Sequence, residues 1–144
     1  LELSDPMSIK TIINSIHLWD KIYTENDIDK QESFVINTTL LHAQQLGFRN
    51  LSLFVDGNIQ AIALYQHVPQ QKFVIGNHTK SNYDYPNSFN FLIHHLAKNL
   101  DSEGIDFINF EQDLGLPGLR EHKLGLRPID YLQHYSITPS DSSE

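Results

Sequence analysis

The stretch LSLFVDGNIQAIALYQHV, residues 51–68, decides the fold of this chain. Its Asp56-Gly57-Asn58 segment is a strong signal for a tight turn, and it separates two apolar runs of strand length. A third run of this kind, 72–76, follows soon after. We therefore predict three consecutive antiparallel strands over 51–55, 59–68 and 72–76.

Helices are predicted on the N-terminal side of these strands. Asp5 is suited to cap a helix that starts at Pro6, because its carboxylate can accept hydrogen bonds from the first free N–H groups. Apolar residues then recur every three or four positions, at Ile9, Ile12, Ile13, Ile16 and Trp19. A second helix is expected to end at Gly47.

The chain after the three strands alternates between loop, helix and strand patterns. We predict a loop over 77–85, a helix over 86–100, a buried strand over 105–110, a short helix over 116–126 and a last strand over 128–138. Because a helix precedes the strand 105–110, that strand can join the sheet parallel to an earlier one. The order predicts a single α+β domain over 1–138, with a mixed, mostly antiparallel sheet flanked by helices, and a disordered tail over 139–144.

Composition limits the classes of function. The 144 residues include 18 acidic and 10 basic side chains, for a net charge of -8, and no cysteine. Disulfides and thiolate chemistry are excluded, and a broad nucleic-acid-binding surface is disfavoured. Because no apolar run reaches the roughly 20 residues of a membrane helix, we expect a cytoplasmic domain, alone or within a longer, membrane-associated protein. The first residue is Leu1 rather than Met, which also suggests a piece of a longer chain.

The familiar catalytic motifs are missing from the sequence. His94 and His95 are adjacent on a predicted helix, so they point in different directions and do not form a metal-binding pair. There is no phosphate-binding loop of the Gly-x-x-x-x-Gly-Lys type, no dinucleotide fingerprint and no Gly-x-Ser-x-Gly elbow. We predict no metal site, and the common nucleotide-binding and serine-hydrolase classes are disfavoured.

The most unusual segment is the charged one between residues 108 and 128. Asn109, Glu111 and Asp113 alternate where a buried strand ends, which is a frequent place for a binding site. Three cations, Arg120, Lys123 and Arg127, follow on one face of the next helix. They could hold a phosphate or carboxylate ligand, or they could form ion pairs with Glu111 and Asp113 that fasten the helix. The spacing leaves both interpretations open.

This segment resembles the C-terminal signature of the phosphatidylglycerol lysyltransferase C-terminal-domain family, a branch of the GNAT-like acyltransferase superfamily. The matching positions are Asn109, Asp113, Gly115, Leu119, Arg120, Lys123, Pro128 and Tyr135. Weaker matches are Trp19 and Glu32, the hairpin 51–64, and the aromatic loop and helix 83–96. The resemblance covers most of residues 19–137.

The resemblance implies a GNAT-like fold and a partner. Members of the family usually contain two GNAT-like halves in tandem, and this chain is similar to the second. We therefore expect a missing N-terminal GNAT-like half as its partner, or a homodimer if the domain is isolated. Relatives include enzymes that move an aminoacyl group from aminoacyl-tRNA to a lipid, which implies tRNA as a donor partner and a lipid or amine as the acceptor.

One segment departs from ordinary acetyltransferases of this superfamily. In those enzymes a glycine-rich loop before the helix binds the pyrophosphate of acetyl-CoA through backbone N–H groups. The corresponding segment here, 78–87, has no glycine, and Pro86 lacks an N–H group while Asp84 adds a negative charge. Ordinary acetyl-CoA binding is therefore not expected, and the donor is an aminoacyl-tRNA or an acyl-CoA bound in another way.

Acyl transfer needs a base near the acceptor and donors for the developing oxyanion. Asp113 and Glu111 are the candidate catalytic carboxylates. The candidate substrate-binding residues are Asn109, Arg120, Lys123, Arg127 and Tyr83. The alternative is a non-catalytic GNAT-like domain with a binding or structural role.

Overall fold

The computed structural model describes residues 1–23, 27–133, 135 and 137. Its helices and strands follow in the order α1 (Pro6–Tyr23), α2 (Asp27–Leu41), α3 (Ala43–Leu46), β1 (Phe48–Val55), β2 (Asn58–His67), β3 (Phe73–Ser81), α4 (Ser88–Ser102), β4 (Phe107–Asn109) and α5 (Pro117–Gly125). The chain divides into two compact units, Leu1–Glu111 and Gln112–Glu144. The predicted boundary of a single domain at residue 138 stays a prediction, and residues 139–144 lie outside the described part.

The four strands form one sheet in the order β1-β2-β3-β4. Antiparallel pairs join β1 to β2 and β2 to β3, whereas β3 and β4 are parallel. The predicted hairpin and the third antiparallel strand are confirmed, and the strand predicted over 105–110 joins the sheet parallel to β3 as β4. The predicted fold class, a mixed and mostly antiparallel sheet with helices, is confirmed as well.

The first helix begins as the sequence predicts. Asp5 Oδ1 accepts the N–H of Met7 at 3.1 Å and Asp5 Oδ2 accepts the N–H of Ser8 at 2.9 Å. The Ser8 hydroxyl also donates to this carboxylate, and this is the main reason why the pKa of Asp5 is lowered. The cap thus satisfies N–H groups that have no partner inside the helix.

Helices cover both faces of the sheet. On one face, Ile12, Ile16 and Trp19 of α1 and residues of α2 are buried in a cluster with Ile62 and Leu64 of β2. α4 packs against β1, β2 and β3 and buries an apolar stripe of its own, formed by Leu92, Ile93, Leu96 and Leu100. Because it is covered twice, β2 is buried at every position from Ile59 to Tyr65.

Strand β3 is longer than predicted. It continues to Ser81, although we expected a loop from residue 77, because β2 offers a long partner: Leu64 pairs with His78 and Ala61 with Ser81. The polar side chains of this part do not prevent strand pairing, since backbone groups make the ladder. The predicted second helix is interrupted in the structure, since α2 ends at Leu41 and the short helix α3 follows it. Gly47 ends α3 with the expected left-handed φ of 71°.

The predicted strand over 128–138 is wrong for the residues that can be checked. Residues 128–133, 135 and 137 are not in a strand, and residues 134, 136 and 138 lie outside the described part. An alternating pattern favours a strand, but a strand exists only where a neighbour accepts its hydrogen bonds. Among the described residues, no helix has the length and hydropathy needed to span a membrane.

Candidate functional site

The charged segment of the second unit is a tight turn followed by α5. Asp113 Oδ1 accepts the N–H of Gly115 at 2.9 Å, and the Asp113 carbonyl accepts the N–H of Leu116 at 2.9 Å. Leu114 and Gly115 both have positive φ, at 52° and 74°. The aspartate therefore organises the turn that leads into the helix, and a glycine follows because it adopts a left-handed backbone at little cost.

Arg120 of α5 forms an ion pair with Asp113 in this turn. The distance from Arg120 Nε to Asp113 Oδ2 is 2.5 Å, and Lys123 Nζ donates to the carbonyl oxygen of Gln112 at 2.6 Å. The hydrogen bond from Arg120, followed by that from the Gly115 N–H, lowers the pKa of Asp113. Asp113 is therefore ionised at neutral pH, and a carboxylate with a lowered pKa is a weaker base while the arginine holds it.

The other site residues predicted from the sequence lie outside the turn that Asp113 organises. In the first unit, Asn109 Oδ1 accepts the N–H of Glu111 at 2.8 Å, and Glu111 has a positive φ of 57°, so the chain turns where β4 ends. Tyr83 lies in the loop before α4 with 74% of its surface exposed. Arg127 follows α5 in the second unit and is also exposed.

The structure thus brings Asp113 and Arg120 into contact and ties Lys123 to the same turn. Asn109 and Glu111 share a second turn, in the first unit.

The loop before α4 uses its own backbone donors. The N–H groups of Asp84 and Tyr85 donate to the side-chain and main-chain oxygens of Asn82, at 3.0 and 3.2 Å. The N–H of Ser88 donates to the Tyr85 carbonyl at 3.2 Å. Asn82 itself is anchored on β2 by two hydrogen bonds to Gln60, each of 2.8 Å. The N–H groups of two loop residues and of the first residue of α4 are therefore engaged inside the loop.

The model of the family described as phosphatidylglycerol lysyltransferase, C-terminal, matches residues 6–138. The chain belongs to this family. The family predicted from the segment 109–135 is thereby confirmed. No curated protein matches the chain in sequence.

Solved structures share the fold of this chain. A conserved protein of unknown function from Bacteroides thetaiotaomicron VPI-5482 matches with a TM-score of 0.72 and 22% identity, over 88% of this chain and 43% of that one. The ribosomal-protein-alanine N-acetyltransferase of Brucella melitensis biovar Abortus 2308 matches with a TM-score of 0.65 and 15% identity, over 96% of both chains. An aminoglycoside acetyltransferase from an uncultured soil metagenomic sample, in complex with sisomicin, has a TM-score of 0.63 and 13% identity, over 97% of this chain and 93% of that one.

These matches confirm the GNAT-like fold. Because the sequence identities are only 22%, 15% and 13%, the matches show a shared fold and nothing about activity. The chain spans less than half the length of the Bacteroides protein.

The first unit has a second polar group, on β3, that the sequence did not reveal. Burial lowers the pKa of His78, and Asn77 Oδ1 is buried with no hydrogen-bond partner among the described residues. Lys80 Nζ donates to Ser33 Oγ at 2.6 Å and lies 2.9 Å from Asp20 Oδ1. The pattern that marks the group, polar residues directly after an apolar strand, predicts a loop, whereas the structure continues β3 to Ser81.

An open groove of about 220 Å³ lies between β1 and α4 in the same unit. It is lined by Leu51, Leu53, Phe91, Leu92, His95 and Asn99, among others. None of the catalytic or substrate-binding residues that the sequence predicts lines this groove.

Proposed function

We propose that this domain is part of an acyl- or aminoacyltransferase that does not bind acetyl-CoA in the ordinary way. The observation that carries the proposal is the loop before α4. It has no glycine between residues 78 and 87, and the N–H groups of Asp84, Tyr85 and Ser88 are already used. A pyrophosphate would need those donors, and Asp84 would repel it. The family of the chain supports transfer chemistry with another donor.

The donor in this proposal is an aminoacyl-tRNA or an acyl-CoA bound in another manner, and the acceptor is a lipid or an amine. A net charge of -8 is unsuited to hold a tRNA backbone over a broad surface. We therefore assign tRNA binding to an N-terminal GNAT-like half of a longer protein. The 43% share of the Bacteroides protein supports a partner half of this size.

The proposed chemistry uses the charged segment as a switchable base. Arg120 holds Asp113 in an ion pair, and 62% of the arginine side chain is exposed, so an anionic group of a ligand can reach it. A phosphate or carboxylate that takes over Arg120 would release Asp113, raise its pKa and make it a better base. Lys123 and Arg127 would contact the same anion.

The other candidates belong to the first unit. Glu111 is a second candidate base, and Asn109 and Tyr83 are proposed to contact the acceptor or donor. These three roles rest on residue chemistry and on the resemblance of the segment to the family.

The test is transfer activity of the longest natural protein that contains this chain, with Asp113→Asn and Arg120→Gln. General-base catalysis typically contributes about 10²–10⁴-fold, so we expect Asp113→Asn to lose on the order of 10²-fold in turnover. Glu121→Gln, an exposed change on the same helix, is the matched control. Unchanged turnover in both folded variants would exclude these residues from the site.

A second candidate is a non-catalytic GNAT-like domain. The contact that favours it is the same ion pair, because Arg120 and Asp113 satisfy each other and tie α5 to its preceding turn. In that case both variants lower the melting temperature and leave ligand binding and turnover unchanged. A thermal-shift comparison of acetyl-CoA, acyl-CoA, nucleotides and amino acids separates the candidates, and a large shift with acetyl-CoA would contradict our interpretation of the loop.

A further inference from the structure

Strand β1 forms one edge of the sheet, and its outer side is open. The strand pairs with β2 on one side, and no strand among the described residues pairs with its other side. None of its residues is buried, although five of them are apolar: Phe48, Leu51, Leu53, Phe54 and Val55. An edge strand exposes backbone N–H and C=O groups that can bind a further strand.

β1 lacks the features that usually prevent such pairing. Charged residues, prolines and bulges on the edge strand are the common ones. β1 contains no proline and a single charged residue, Arg49, whose guanidinium is held by Glu103 through hydrogen bonds of 2.5 and 2.9 Å. The irregularity in the ladder leaves Gln60 of β2 without a partner, so β1 itself is regular.

The opposite edge of the sheet is less suited to a further strand. β4 is only three residues long, and past its end no described strand pairs with that side of β3. There β3 carries an extra residue, Asn77, because its two neighbours lie opposite Tyr65 and Leu64, which are adjacent on β2. A bulge of this kind increases the twist of a strand and disturbs regular pairing. A further strand is therefore expected at β1.

The groove between β1 and α4 adds apolar surface beside this edge. Leu51 and Leu53 of β1 and Phe91 and His95 of α4 line it, and its volume is about 220 Å³. A strand paired with β1 would place every second side chain on the face of Leu51 and Leu53, next to the groove. Pairing at this edge would thus remove apolar surface from water as well as satisfy backbone groups.

The charges at the two ends of β1 favour a second copy of the same strand as the partner. Arg49 lies near its start and Asp56 directly after its end. When two copies pair in antiparallel orientation, each arginine lies near the aspartate of the other copy. A parallel arrangement would bring like charges together, which is destabilising. The Arg49 side chain is 46% exposed beside Glu103, so a second carboxylate can reach it.

A two-fold axis at Ser52 gives a register that suits the side chains. Paired residues of a continuous sheet lie on the same face, so odd-numbered residues pair with odd-numbered ones here. The axis at Ser52 pairs residues 49–55 of both strands and places Leu51 opposite Leu53 of the second copy, beside both grooves. Such an interface is isologous, since the same surface serves both copies.

We propose that two copies of this chain dimerise through antiparallel β1 strands, around a two-fold axis at Ser52. One continuous sheet then crosses both copies, and the Leu51 and Leu53 side chains of the two copies pack together. The proposal does not depend on the transferase function. It gives the homodimer expected from the sequence a defined interface.

The first experiment measures self-association of the 144-residue chain by sedimentation velocity. We expect a reversible dimer with a Kd in the micromolar range, as is usual for a small interface. Leu53→Lys places a charge within the interface and is expected to weaken dimerisation by about tenfold or more. Phe34→Lys, at a side chain of α2 that is 71% exposed, is the matched control and should dimerise like the wild type. A monomeric wild type, or equal affinities of the two variants, would overturn the proposal.

The second experiment uses the absence of cysteine from the sequence. Ser52→Cys introduces one thiol at the two-fold axis, where directly opposed residues are close enough for a disulfide. Under mild oxidation we expect a covalent dimer to form about tenfold faster, or more, than with Ser4→Cys, at an exposed position before α1. Equal rates would overturn the proposal. This variant keeps the test usable if Leu53→Lys does not fold.

Asp56→Asn tests the antiparallel orientation. Asparagine suits the left-handed backbone of this turn, where Asp56 has a φ of 49°, so the change removes only the charge. We expect dimerisation to weaken by about two- to fivefold at low ionic strength, and the difference to shrink in salt. Asp84→Asn, an exposed change of the same kind in the loop before α4, controls for net charge. Equal effects of the two substitutions would contradict the antiparallel pair.

Discussion

At Gly76 the backbone of β3 and the ring of Phe110 lie in close contact, and a methyl group would come between them. A Cβ at this position would meet Phe110 Cδ1 and Cε1 at 3.1 and 3.2 Å. Such contacts are tighter than normal packing allows, so the ring would have to move. The glycine therefore serves close packing, since its φ is not in the left-handed region.

We predict that Gly76→Ala lowers the free energy of unfolding by about 1 kcal/mol, as overpacking usually does. In a Phe110→Ala background the same change should be neutral or stabilising, because alanine suits a strand better than glycine does. Urea unfolding of the four proteins checks this. Gly118→Ala, where a Cβ would meet nothing within 4 Å, is the control, and equal effects of Gly76→Ala in both backgrounds would contradict the contact.

His78 makes stability depend on pH. Burial lowers its pKa from the ordinary value of 6.5, so the unfolded chain takes up a proton at a higher pH than the folded one. Stability from this residue is complete above about pH 6.5 and decreases as the pH falls below it, by at most about 1.4 kcal/mol per pH unit.

We therefore predict that His78→Gln flattens the curve of unfolding free energy against pH just below pH 6.5. The exposed His94→Gln should leave that curve unchanged. Denaturant titrations between pH 5 and 8 measure both. A slope that survives in His78→Gln would show that another group causes it.

At the scale of elements, Lys80 joins three of them. From β3 its ammonium contacts Asp20 of α1 at 2.9 Å, Ser33 of α2 at 2.6 Å and Glu32 of α2 at 3.6 Å. The side chains of Lys80 and Asp20 are only 15% and 20% exposed. The cation thus connects two helices to one strand in a mostly desolvated place.

We predict that Lys80→Met lowers the free energy of unfolding by about 2–4 kcal/mol, because it leaves carboxylates without their cation. Lys72→Met is the control, since Lys72 and Asp106 are 71% and 53% exposed and lie 3.6 Å apart. An exposed pair of this kind contributes less than about 1 kcal/mol. Equal effects of the two substitutions in thermal unfolding would contradict the role of Lys80.

The elements that the sequence predicted well are those with strong local signals. The Asp56-Gly57-Asn58 turn, the cap at Asp5 and the glycine at 47 determine their structures through a few neighbouring residues. The errors occurred where distant pairing decides. β3 extends because β2 does, and residues 128–133 lack a strand although their pattern alternates.

The sequence also predicted only part of the candidate site, namely the part that depends on residues close together in the chain. The sequence offered an ion pair between Arg120 and Asp113 as one of two interpretations, and the structure contains this pair, between α5 and the turn that precedes it. The place of Asn77 in the polar group on β3 was not predictable, because it comes from a bulge and from a buried atom without a partner. Both are properties of the register between two strands, and a single strand does not contain them.

At the scale of the whole molecule, the apolar core belongs to one unit. Among the residues whose burial the structure describes, the buried hydrophobic ones all lie between Leu3 and Leu100, within the unit Leu1–Glu111. None of the described residues of Gln112–Glu144 is buried. A unit with its own core is expected to fold independently.

We predict that a chain ending at Glu111 keeps the fold of the first unit. Its amide NMR spectrum should match that of the 144-residue chain at β2 and α4, and its melting temperature should fall by only a few degrees. A spectrum without dispersion would show that residues after 111 are required. A chain ending at Asn99, which loses Leu100 and β4, is the comparison that should unfold.

The extra residue in β3 also sets the phase of that strand. Lys80 lies opposite Ile62, on the face of the sheet that α1 and α2 cover, and its ammonium reaches Asp20 of α1. Val74 lies opposite His67, and the alternation of β2 puts this pair on the other face, which α4 covers. Simple alternation would put positions 74 and 80 on the same face, and the inserted residue corrects the difference. A slip of β3 by one residue would carry Lys80 under α4, away from Asp20. The bulge therefore protects the sheet against misregistered pairing during folding, since only one alignment satisfies both halves of the strand.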